Sequence, residues 1–495
     1  MSTEPFFERP SMGAVRADRR LLLLSYHFPP DTTIGARRWE KLSHFVAERG
    51  WGLDVITCAS EKVELPRLEA LPSDVRIYGV PPQPARLAEW TEHAAWRVYR
   101  ALRPTRGTTH SANAATPGSL AQISRARPDT VSRAEVHWQP LNARKLLRTY
   151  WVWLDSWRDR RWAERAVHMA REILQPDVHF ALVTSGPPHM THEAGRILSL
   201  EYGLPFVMDM RDPWSLTERL PERWASPLWF DITARYERAM VQQAALVVAN
   251  TDPARETLAN AYPEARERVI AVMNGADDEP ITPSRQGGRF TICYAGTVYD
   301  YSDPHSLFQA AARVVDGLRL TPAEFGMEFI GNFDDASEQL LRDLAGAEGV
   351  GEYVSVGPAR PHAQALEFMA GATMLVTFPG WNSVAIPGKV FECVRFDAWL
   401  LALSDANSAT ERLLRGTDAD VVPREEIERI AAVITRRYEA HMRGERPVRI
   451  ARDGRFSRRH QAQILLDAIA RLSPQSDVPP APGTAAHTHR TSLSH

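Results

Sequence analysis

The sequence predicts an α/β protein built from two doubly wound domains. Short aliphatic runs alternate with helical patterns along most of the 495 residues, and this alternation is typical of βα units with parallel strands. Two series of such units are separated by a turn-rich segment, Asn274–Gly288. The length is also too great for one core, so we expect two domains joined near 275–289.

The first series contains one clear helix and six predicted strands. The helix is predicted over Ala36–Arg49, where Gly50 ends it. The strands are Leu21–Ser25, Leu53–Thr57, Val178–Val183, Phe206–Met208, Leu246–Ala249 and Val269–Val272. The strands of the second series are Phe290–Tyr294, Glu328–Ile330, Val354–Val356, Met374–Phe378 and Trp399–Leu403.

Composition marks the domain boundaries. We place the first domain at 19–275 and the second at 289–445. Residues 104–135 are rich in Ser, Thr, Ala, Pro and Arg and are predicted to be a flexible insertion in the first domain. Residues 1–18 and 473–495 have the composition of disordered tails.

Charge and cysteine content exclude several classes of protein. Lys and Arg number 59 against 61 Asp and Glu, so the sequence predicts no nucleic-acid partner, which would call for a strongly basic chain. Cys58, Cys293 and Cys393 lie too far apart in sequence for a disulfide framework or a zinc site. Neither a secretory signal nor a membrane-spanning apolar run is found, which predicts a cytoplasmic protein.

Three loops follow strands of the first series, where parallel sheets bind ligands. The first, Tyr26–Ala36, contains Gly35, which lets backbone approach a ligand. The second, Thr184–Glu193, carries His189 and His192. These histidines either act in a site or cap the following helix.

The third loop carries two carboxylates around an arginine, Asp209, Arg211 and Asp212. They either hold sugar hydroxyls or form an internal ion-pair bracket. Because Arg211 would keep both carboxylates ionised, a glycoside-hydrolysing acid/base pair is disfavoured.

The second series contributes two more loops. Tyr294–Tyr299 includes Gly296 and Thr297 at the end of a strand, and Ile386–Glu392 opens a helix. A lysine in the first turn of a helix is unfavourable unless an anion lies there, so Lys389 is a candidate diphosphate ligand. Glu392, one turn later, could accept hydrogen bonds from ribose hydroxyls. The alternative is a surface pair between Lys389 and Glu392.

A tryptophan cluster is the most unusual local feature. Trp151, Trp153, Trp157 and Trp162 lie among arginines on one predicted helix. The helix either packs its aromatic side chains on the first sheet or lies at a membrane interface.

Taken together, the loops resemble the GT4 family of retaining glycosyltransferases, in the branch with a glycosyltransferase family 4-like N-terminal domain. The matching stretches occur in the family's order over nearly all of 20–405. They are YHFPPDTTIGARRWEKLSHFVAERGWGLDVIT, VTSGPPHMTHEAG, LPFVMDMRDPW, YAGTVY and IPGKVFECVRFDAWLLAL.

The resemblance implies a GT-B fold, in which two Rossmann-like domains face a cleft and the C-terminal one holds a nucleotide-sugar. Helices at 446–472 would return to the N-terminal domain. It implies catalytic roles for His192, which would face the transferred sugar, and for the D-x-R-D residues Asp209, Arg211 and Asp212. The implied donor-binding residues are Gly35, Gly296, Thr297, Lys389 for the diphosphate and Glu392 for the ribose.

Three positions depart from the family pattern. The E-x7-E signature is half present, because Val384 stands eight residues before Glu392. A basic residue is missing after Gly296, where Val298 and Tyr299 stand. The first loop reads Thr32-Thr33-Ile34-Gly35, where many family members have paired glycines.

The resulting functional hypothesis is sugar transfer from a nucleoside-diphosphate-sugar to a glycan, lipid-linked or small-molecule acceptor. Retention of the anomeric configuration and a role in polysaccharide biosynthesis follow from the resemblance. We expect no cofactor and no metal ion, because Lys389 would supply the positive charge. A lipid-linked acceptor would also bring the protein into peripheral contact with the inner membrane face.

Two alternatives remain at this point. A nucleotide-sugar 2-epimerase would share the fold and act on the donor alone. A non-catalytic GT-B binding protein would be consistent with the incomplete E-x7-E signature.

Overall fold

Two sheets of mostly parallel strands, covered by helices, make up the part of the protein that the structure describes. The computed structural model describes residues 7–11, 17–31, 33–58, 65–82, 143–212, 214, 227–277, 279, 281–282, 288–296, 304–380 and 384–472. Within these ranges each sheet has a buried hydrophobic cluster on either face. The predicted pair of doubly wound α/β domains is therefore confirmed.

The first domain is organised around an eight-stranded sheet. Its elements are β1 (Phe7–Arg9), β2 (Arg20–Ser25), α1 (Arg37–Glu48), β3 (Gly52–Cys58), α2 (Leu65–Glu69), β4 (Val75–Val80), α3 (Ala143–Ile173), β5 (His179–Gly186), α4 (Thr191–Tyr202), β6 (Phe206–Met210), α5 (Pro227–Gln243), β7 (Leu246–Ala249), α6 (Asp252–Ala261) and β8 (Val269–Ala271). The strand order is β1-β4-β3-β2-β5-β6-β7-β8, and β1 runs antiparallel to β4.

The second domain contains a six-stranded sheet in the order β11-β10-β9-β12-β13-β14, in which every pair is parallel. Its elements are β9 (Phe290–Ala295), α7 (His305–Leu318), β10 (Phe325–Gly331), α8 (Asp335–Ala347), β11 (Val354–Pro358), α9 (His362–Ala370), β12 (Met374–Gly380), α10 (Gly388–Cys393), β13 (Trp399–Ser404), α11 (Ala409–Leu414), β14 (Asp420–Val422) and α12 (Ile427–Met442). A last helix, α13 (Arg458–Ala470), follows.

The aliphatic strands read as continuous apolar runs because both faces of the sheet are covered. In β2, Leu21 and Leu23 pack in the cluster that contains Trp39 of α1. The intervening Leu22 packs on the other face, with Trp162 of α3. All the predicted strands overlap observed ones, whereas β1, β4 and β14 are not among the predictions.

The observed β1 corrects the prediction that residues 1–18 form a disordered tail. Phe7–Arg9 pairs with Ile77–Gly79, and Phe7 packs against the core. The buried Arg9 guanidinium donates to the carbonyls of Val75 and Leu71. These bonds are made to a distant part of the chain, so the local composition gives no sign of them. The predicted insertion at 104–135 and the tail at 473–495 lie outside the described residues.

The two chain crossings between the domains pair with each other. Ala276 donates its backbone N–H to Phe456 O at 2.6 Å and accepts one from Arg458 N at 2.9 Å. The Asp277 carboxylate lies 2.5 Å from Arg458 Nε and 3.6 Å from Lys41 Nζ of α1. The two connecting segments thus form a short two-stranded bridge, which the ion pairs of Asp277 with Arg458 and Lys41 stabilise.

The chain after α12 is divided between the two domains. Ile450 and Phe456 belong to the core of the second sheet, whereas Leu465 and Leu466 of α13 lie in the core of the first. Within the segment 446–472 that was predicted to return to the first domain, α13 does return, whereas the part that contains Ile450 and Phe456 packs on the second domain.

The tryptophan-rich helix α3 has a buried face and an exposed one. Trp162 is buried against the sheet and donates to Val80 O at 3.1 Å. Trp153 and Trp157 are 52% and 37% exposed, and the side chain of Trp151 lies outside the described residues. Among the helices that the structure describes, none is both long and apolar enough to span a bilayer.

A buried cluster of ion pairs lies at the end of the sheet where β2 begins. Arg20, 1% exposed, donates to Asp54 Oδ1 from Nε at 3.0 Å and to Asp74 Oδ2 from Nη1 at 2.8 Å. His179 Nε2 lies 3.0 Å from the other oxygen of Asp54. The cluster ties β2, β3, β5 and the turn before β4 together.

Arg20→Met should lower the free energy of unfolding by about 3–5 kcal/mol, because it leaves a buried carboxylate without its main partner. Urea unfolding followed by circular dichroism measures the change. The control is Arg171→Met, which breaks a half-exposed pair with Glu201 and should cost at most about 1 kcal/mol. Equal losses in the two variants would contradict this assignment.

Candidate active site

Three loops of the first domain meet at one edge of its sheet. β2, β5 and β6 are neighbours and parallel, so their carboxyl ends lie side by side. The loops after these strands contain Gly35, the Gly186–Pro187 step and Arg211. The sequence predicted this common edge, and the topology brings the loops together.

Arg211 links the three loops through backbone carbonyl groups. Its Nε donates to Gly186 O at 3.0 Å, and its two terminal nitrogens donate to Gly35 O and Pro187 O. A Cβ on residue 35 would lie 2.7 Å from Nη1 of Arg211, so a larger residue there would displace the guanidinium. Burial lowers the pKa of Arg211 despite the nearby carboxylates of Asp209 and Asp212. Arg211 therefore holds the three loops together, and its predicted catalytic role stays a prediction.

Asp209 is enclosed by hydrogen-bond donors. Arg38 forms a bidentate pair with it, Nε to Oδ2 at 3.1 Å and Nη2 to Oδ1 at 3.0 Å. Trp39 Nε1 and Ser185 Oγ donate to Oδ2 at 2.8 and 3.2 Å, and the side chain has no exposed surface. Four hydrogen bonds from its own protein therefore occupy this carboxylate. The arrangement is the ion-pair bracket that was one of the two alternatives for this loop, and the catalytic role of Asp209 stays a prediction.

Arg38 extends the same anchor towards the connection between the domains. It donates to Asn274 Oδ1 and to Val272 O, both at 3.1 Å. Asp212, predicted to be catalytic with Asp209, is half-buried at the end of the loop. Its charge acts on Arg211.

His192 lies fully buried at the start of α4. Its Nδ1 is 2.7 Å from Thr184 Oγ1, and its Nε2 has no hydrogen-bond partner in the part of the chain that the structure describes. A Cβ on Gly186 would stand 2.6 Å from that nitrogen. Burial lowers the pKa of His192 to about 3, so the imidazole is neutral at physiological pH and offers Nε2 as one polar group.

The second domain places Gly296 against Lys389, two predicted donor-binding residues. Gly296 follows β9 with φ +151°, and a Cβ there would collide with the Lys389 ammonium. The ammonium is 5.3 Å from the Tyr294 ring centroid, and the charge of Glu392 acts on it. Burial lowers the pKa of Lys389. Thr297 lies outside the described residues.

Glu392 follows Lys389 on the same short helix. Its Oε1 is 3.1 Å from His362 Nε2. Burial alone would favour the neutral acid, but the hydrogen bond from His362 and the charges of Lys389 and Arg37 lower the pKa of Glu392. Arg37 belongs to α1 of the first domain, so Glu392 lies where the two domains face each other. The sequence reasoning missed Arg37 and His362, although Arg37 follows the Gly35 loop directly.

Val384 belongs to the second domain but packs in a hydrophobic cluster of the first. It is 3% exposed and packs in the cluster of Met190 and Trp214. Its carbonyl accepts a hydrogen bond from Thr251 Oγ1 at 2.5 Å. The position where the family carries a carboxylate is thus an apolar contact between the domains.

Candidate metal ligands do not cluster in the described residues: no group of three or more His, Cys, Asp or Glu could hold an ion there.

No protein-family model matches the chain. The chain is 30% identical over 153 residues to D-inositol 3-phosphate glycosyltransferase 1 of Catenulispora acidiphila, which covers 28% of the chain and 37% of that relative. It is 26% identical over 203 residues to the D-inositol 3-phosphate glycosyltransferase of Thermobifida fusca, covering 38% and 46%. The chain thus matches less than half of the length of either curated relative.

Solved structures cover almost the whole chain. A UDP-forming trehalose-phosphate synthase of Burkholderia xenovorans aligns over 92% of the chain and 99% of its own length, with 14% identity and a TM-score of 0.56. Anabaena HepE in complex with UDP-glucose aligns over 92% and 100%, with 13% identity and a TM-score of 0.52. The fold is that of GT-B glycosyltransferases. The predicted GT-B resemblance is therefore confirmed, and the GT4 assignment is supported by distant relatives.

The pH dependence of stability should report the neutral state of His192. The unfolded chain binds a proton below the ordinary pKa of 6.5, whereas the folded His192 does so only near 3. Stability is therefore lost as the pH falls from about 6.5 towards 3, by up to about 1.4 kcal/mol per pH unit. In urea unfolding between pH 6 and 4.5, His192→Gln should show a shallower loss than the wild-type protein.

His168→Gln is the matched control, because His168 is an exposed histidine of α3 and should keep the wild-type pH slope. Equal slopes for wild type and His192→Gln would contradict the buried neutral state.

Proposed function

We propose that the protein transfers a sugar from a nucleoside-diphosphate-sugar to a hydroxyl of a glycan, lipid-linked or small-molecule acceptor. The observation that carries this proposal is the pairing of Gly296 with Lys389, beside the ionised Glu392, at a GT-B cleft. HepE, which has the same fold, is described in complex with UDP-glucose. The distant curated relatives are sugar transferases by name.

Lys389 is suited to bind the donor diphosphate. Its side chain is half-buried, and an anion would compensate the cost of burying the charge. Because Gly296 has no Cβ, the end of the Lys389 side chain can occupy the space beside it. The helix that carries it, α10, has six residues, so the side chain and not a long helix dipole supplies the charge.

Glu392 is suited to accept hydrogen bonds from the ribose hydroxyls. Its lowered pKa keeps it an ionised acceptor. It lies close enough to Lys389 for the two residues to hold the adjoining diphosphate and ribose of one nucleotide.

His192 is proposed to contact the transferred sugar through Nε2 when the cleft is occupied. The leaving diphosphate would be stabilised by Lys389 in place of a metal ion. Retention of the anomeric configuration, GT4 membership, a place in polysaccharide biosynthesis and a cytoplasmic location remain proposals that rest on the sequence resemblance and the distant relatives.

The alternatives are separated by the products formed. Thermal-shift screening with UDP-, GDP- and dTDP-sugars identifies the donor, since a ligand bound to the folded state raises its stability. Incubation with that donor alone would give a new nucleotide-sugar from a 2-epimerase. Binding without turnover on a panel of acceptors that includes D-inositol 3-phosphate would favour a non-catalytic binding protein.

Lys389→Ala should weaken binding of UDP-glucose by about 10- to 100-fold, the effect of losing one charge-assisted contact. It should also reduce UDP release. Calorimetric titration and a coupled UDP assay measure the two effects. Arg342→Ala is the control, because Arg342 is an exposed cation of the second domain that pairs with Glu338. Wild-type affinity and turnover in Lys389→Ala would overturn the donor-site assignment.

We further propose peripheral contact of α3 with an anionic membrane surface. The exposed tryptophan surface consists of Trp153, Trp157, Arg160 and Arg161, whose arginines are 49% and 40% exposed. The Arg161 guanidinium lies 5.7 Å from the Trp157 ring centroid. Glu164 is the carboxylate between the arginines, so this surface keeps net positive charge. Exposed indole rings beside cations suit a lipid interface.

The double variant Trp153→Ala, Trp157→Ala should bind vesicles containing phosphatidylglycerol at least about tenfold more weakly than wild type, because it removes the interfacial anchors. Sedimentation with vesicles measures this, and high salt should weaken wild-type binding. Leu200→Ala, a 46% exposed residue of α4, is the control. Equal binding of wild type and the double variant would contradict the membrane contact.

A further inference from the structure

A histidine and an aspartate form a close pair in the loop after β2. His27 Nδ1 lies 2.6 Å from Asp31 Oδ2. Thr33 donates its backbone N–H to Asp31 Oδ1 at 2.9 Å and its hydroxyl to Oδ2 at 2.9 Å. Burial would raise the pKa of Asp31, but these hydrogen bonds lower it, so the carboxylate is ionised. An ionised Asp31 accepts the proton of Nδ1, which makes Nε2 the basic nitrogen of the neutral ring.

The other ring nitrogen of His27 is available. The side chain is 26% exposed, and Nε2 makes no hydrogen bond in the described part of the chain. Asp31 is held in place from behind, because Arg67 of α2 donates to its carbonyl at 2.6 Å and also pairs with Glu40 of α1. The Asp31 end of the pair is therefore fixed, whereas Nε2 of His27, the open end, is accessible.

The open end lies beside the cleft loops. His27 Cδ2 and Arg211 Nη1 lie 3.3 and 2.7 Å from the point where a Cβ on Gly35 would stand. Arg37 lies two residues after Gly35, and its positive charge lowers the pKa of Glu392 in the second domain. The pair is thus on the wall of the first domain that faces the proposed donor residues.

We propose that His27, oriented by Asp31, binds the acceptor hydroxyl and takes up its proton. This inference rests on the proposed transferase function and names the group on the acceptor side of the same site. The hydroxyl oxygen forms a bond to the anomeric carbon on the same face of the sugar from which the diphosphate leaves, as the bond from that carbon to the diphosphate oxygen breaks. The hydroxyl proton moves to His27 Nε2, and Asp31 stabilises the imidazolium that results.

The other titratable groups near the cleft are less suited to this step. His192 is fully buried, with Nε2 against Gly186. Asp209 is enclosed by Arg38, Trp39 and Ser185. Glu392 belongs to the proposed donor wall and is hydrogen-bonded to His362.

His27→Gln and Asp31→Asn test the proposal in the full chain with UDP-glucose as donor and with water or D-inositol 3-phosphate as acceptor. His27→Gln should lower kcat for UDP release by about 10²- to 10⁴-fold, the usual contribution of a general base. Asp31→Asn should lower it less, because the asparagine can still accept the Thr33 N–H. The UDP-induced thermal shift should stay as in wild type in both variants.

The pH profile separates a base from a structural residue. The charged groups that face His27 are Asp31, Arg211 and Arg67. A general base accepts a proton only in its unprotonated form, so the pH profile of wild-type turnover should have an acidic limb that is absent in His27→Gln. His305→Gln is the control, because it breaks a His305–Glu348 pair of the same 2.6 Å length in the second domain and should leave the rate and the profile unchanged.

The outcomes distinguish the two proposals. Wild-type turnover in His27→Gln, an unchanged pH profile, or a joint loss of turnover and of the UDP-induced shift would overturn the role of His27 alone. A wild-type protein that shows no UDP-induced shift and releases no UDP would overturn the transferase function on which the role depends.

Discussion

The buried pair between Arg38 and Asp209 is the contact on which the first-domain wall of the site depends. It joins α1 to the end of β6, and its further hydrogen bonds reach Ser185 at the end of β5 and Asn274 at the start of the connection to the second domain. Breaking such a pair by removing one partner is costly, because the other charge is left in a medium that cannot solvate it. The loops can therefore carry polar groups for a substrate while their bases stay fixed.

Close packing against glycine is the second device in the site. Arg211 and Lys389 each occupy space that a Cβ on Gly35 or Gly296 would fill. A cation held against a backbone hydrogen is confined without being neutralised by a carboxylate. Arg211 directs its charge to carbonyl groups of its own domain, whereas Lys389 is the residue proposed to bind the donor diphosphate. The same local arrangement thus gives Arg211 a structural role and supports the binding role proposed for Lys389.

The sequence predicts the fold well because the signal is local. Aliphatic strands buried on both faces read as runs such as Leu21–Leu24, and turn residues separate them. It also places Gly296 and Lys389 at one sheet edge, since parallel strands end together. It does not show that Asp209 is enclosed, because the enclosure depends on Arg38 and Trp39, which lie about 170 residues earlier in the chain. The pairing of His27 with Asp31 spans four residues, but only the folded loop shows which ring nitrogen stays open.

The position of α13 has a consequence for how the protein can be divided. Leu465 and Leu466, near the end of the described chain, fill the core of the domain that begins near its start. A fragment ending at the first crossing, near Ala276, would therefore expose an apolar groove along β2 and α1. The first domain is a discontinuous unit, and an autonomous version needs both chain segments joined across the two-stranded bridge. The core of the first domain is therefore complete only after α13 has been synthesised.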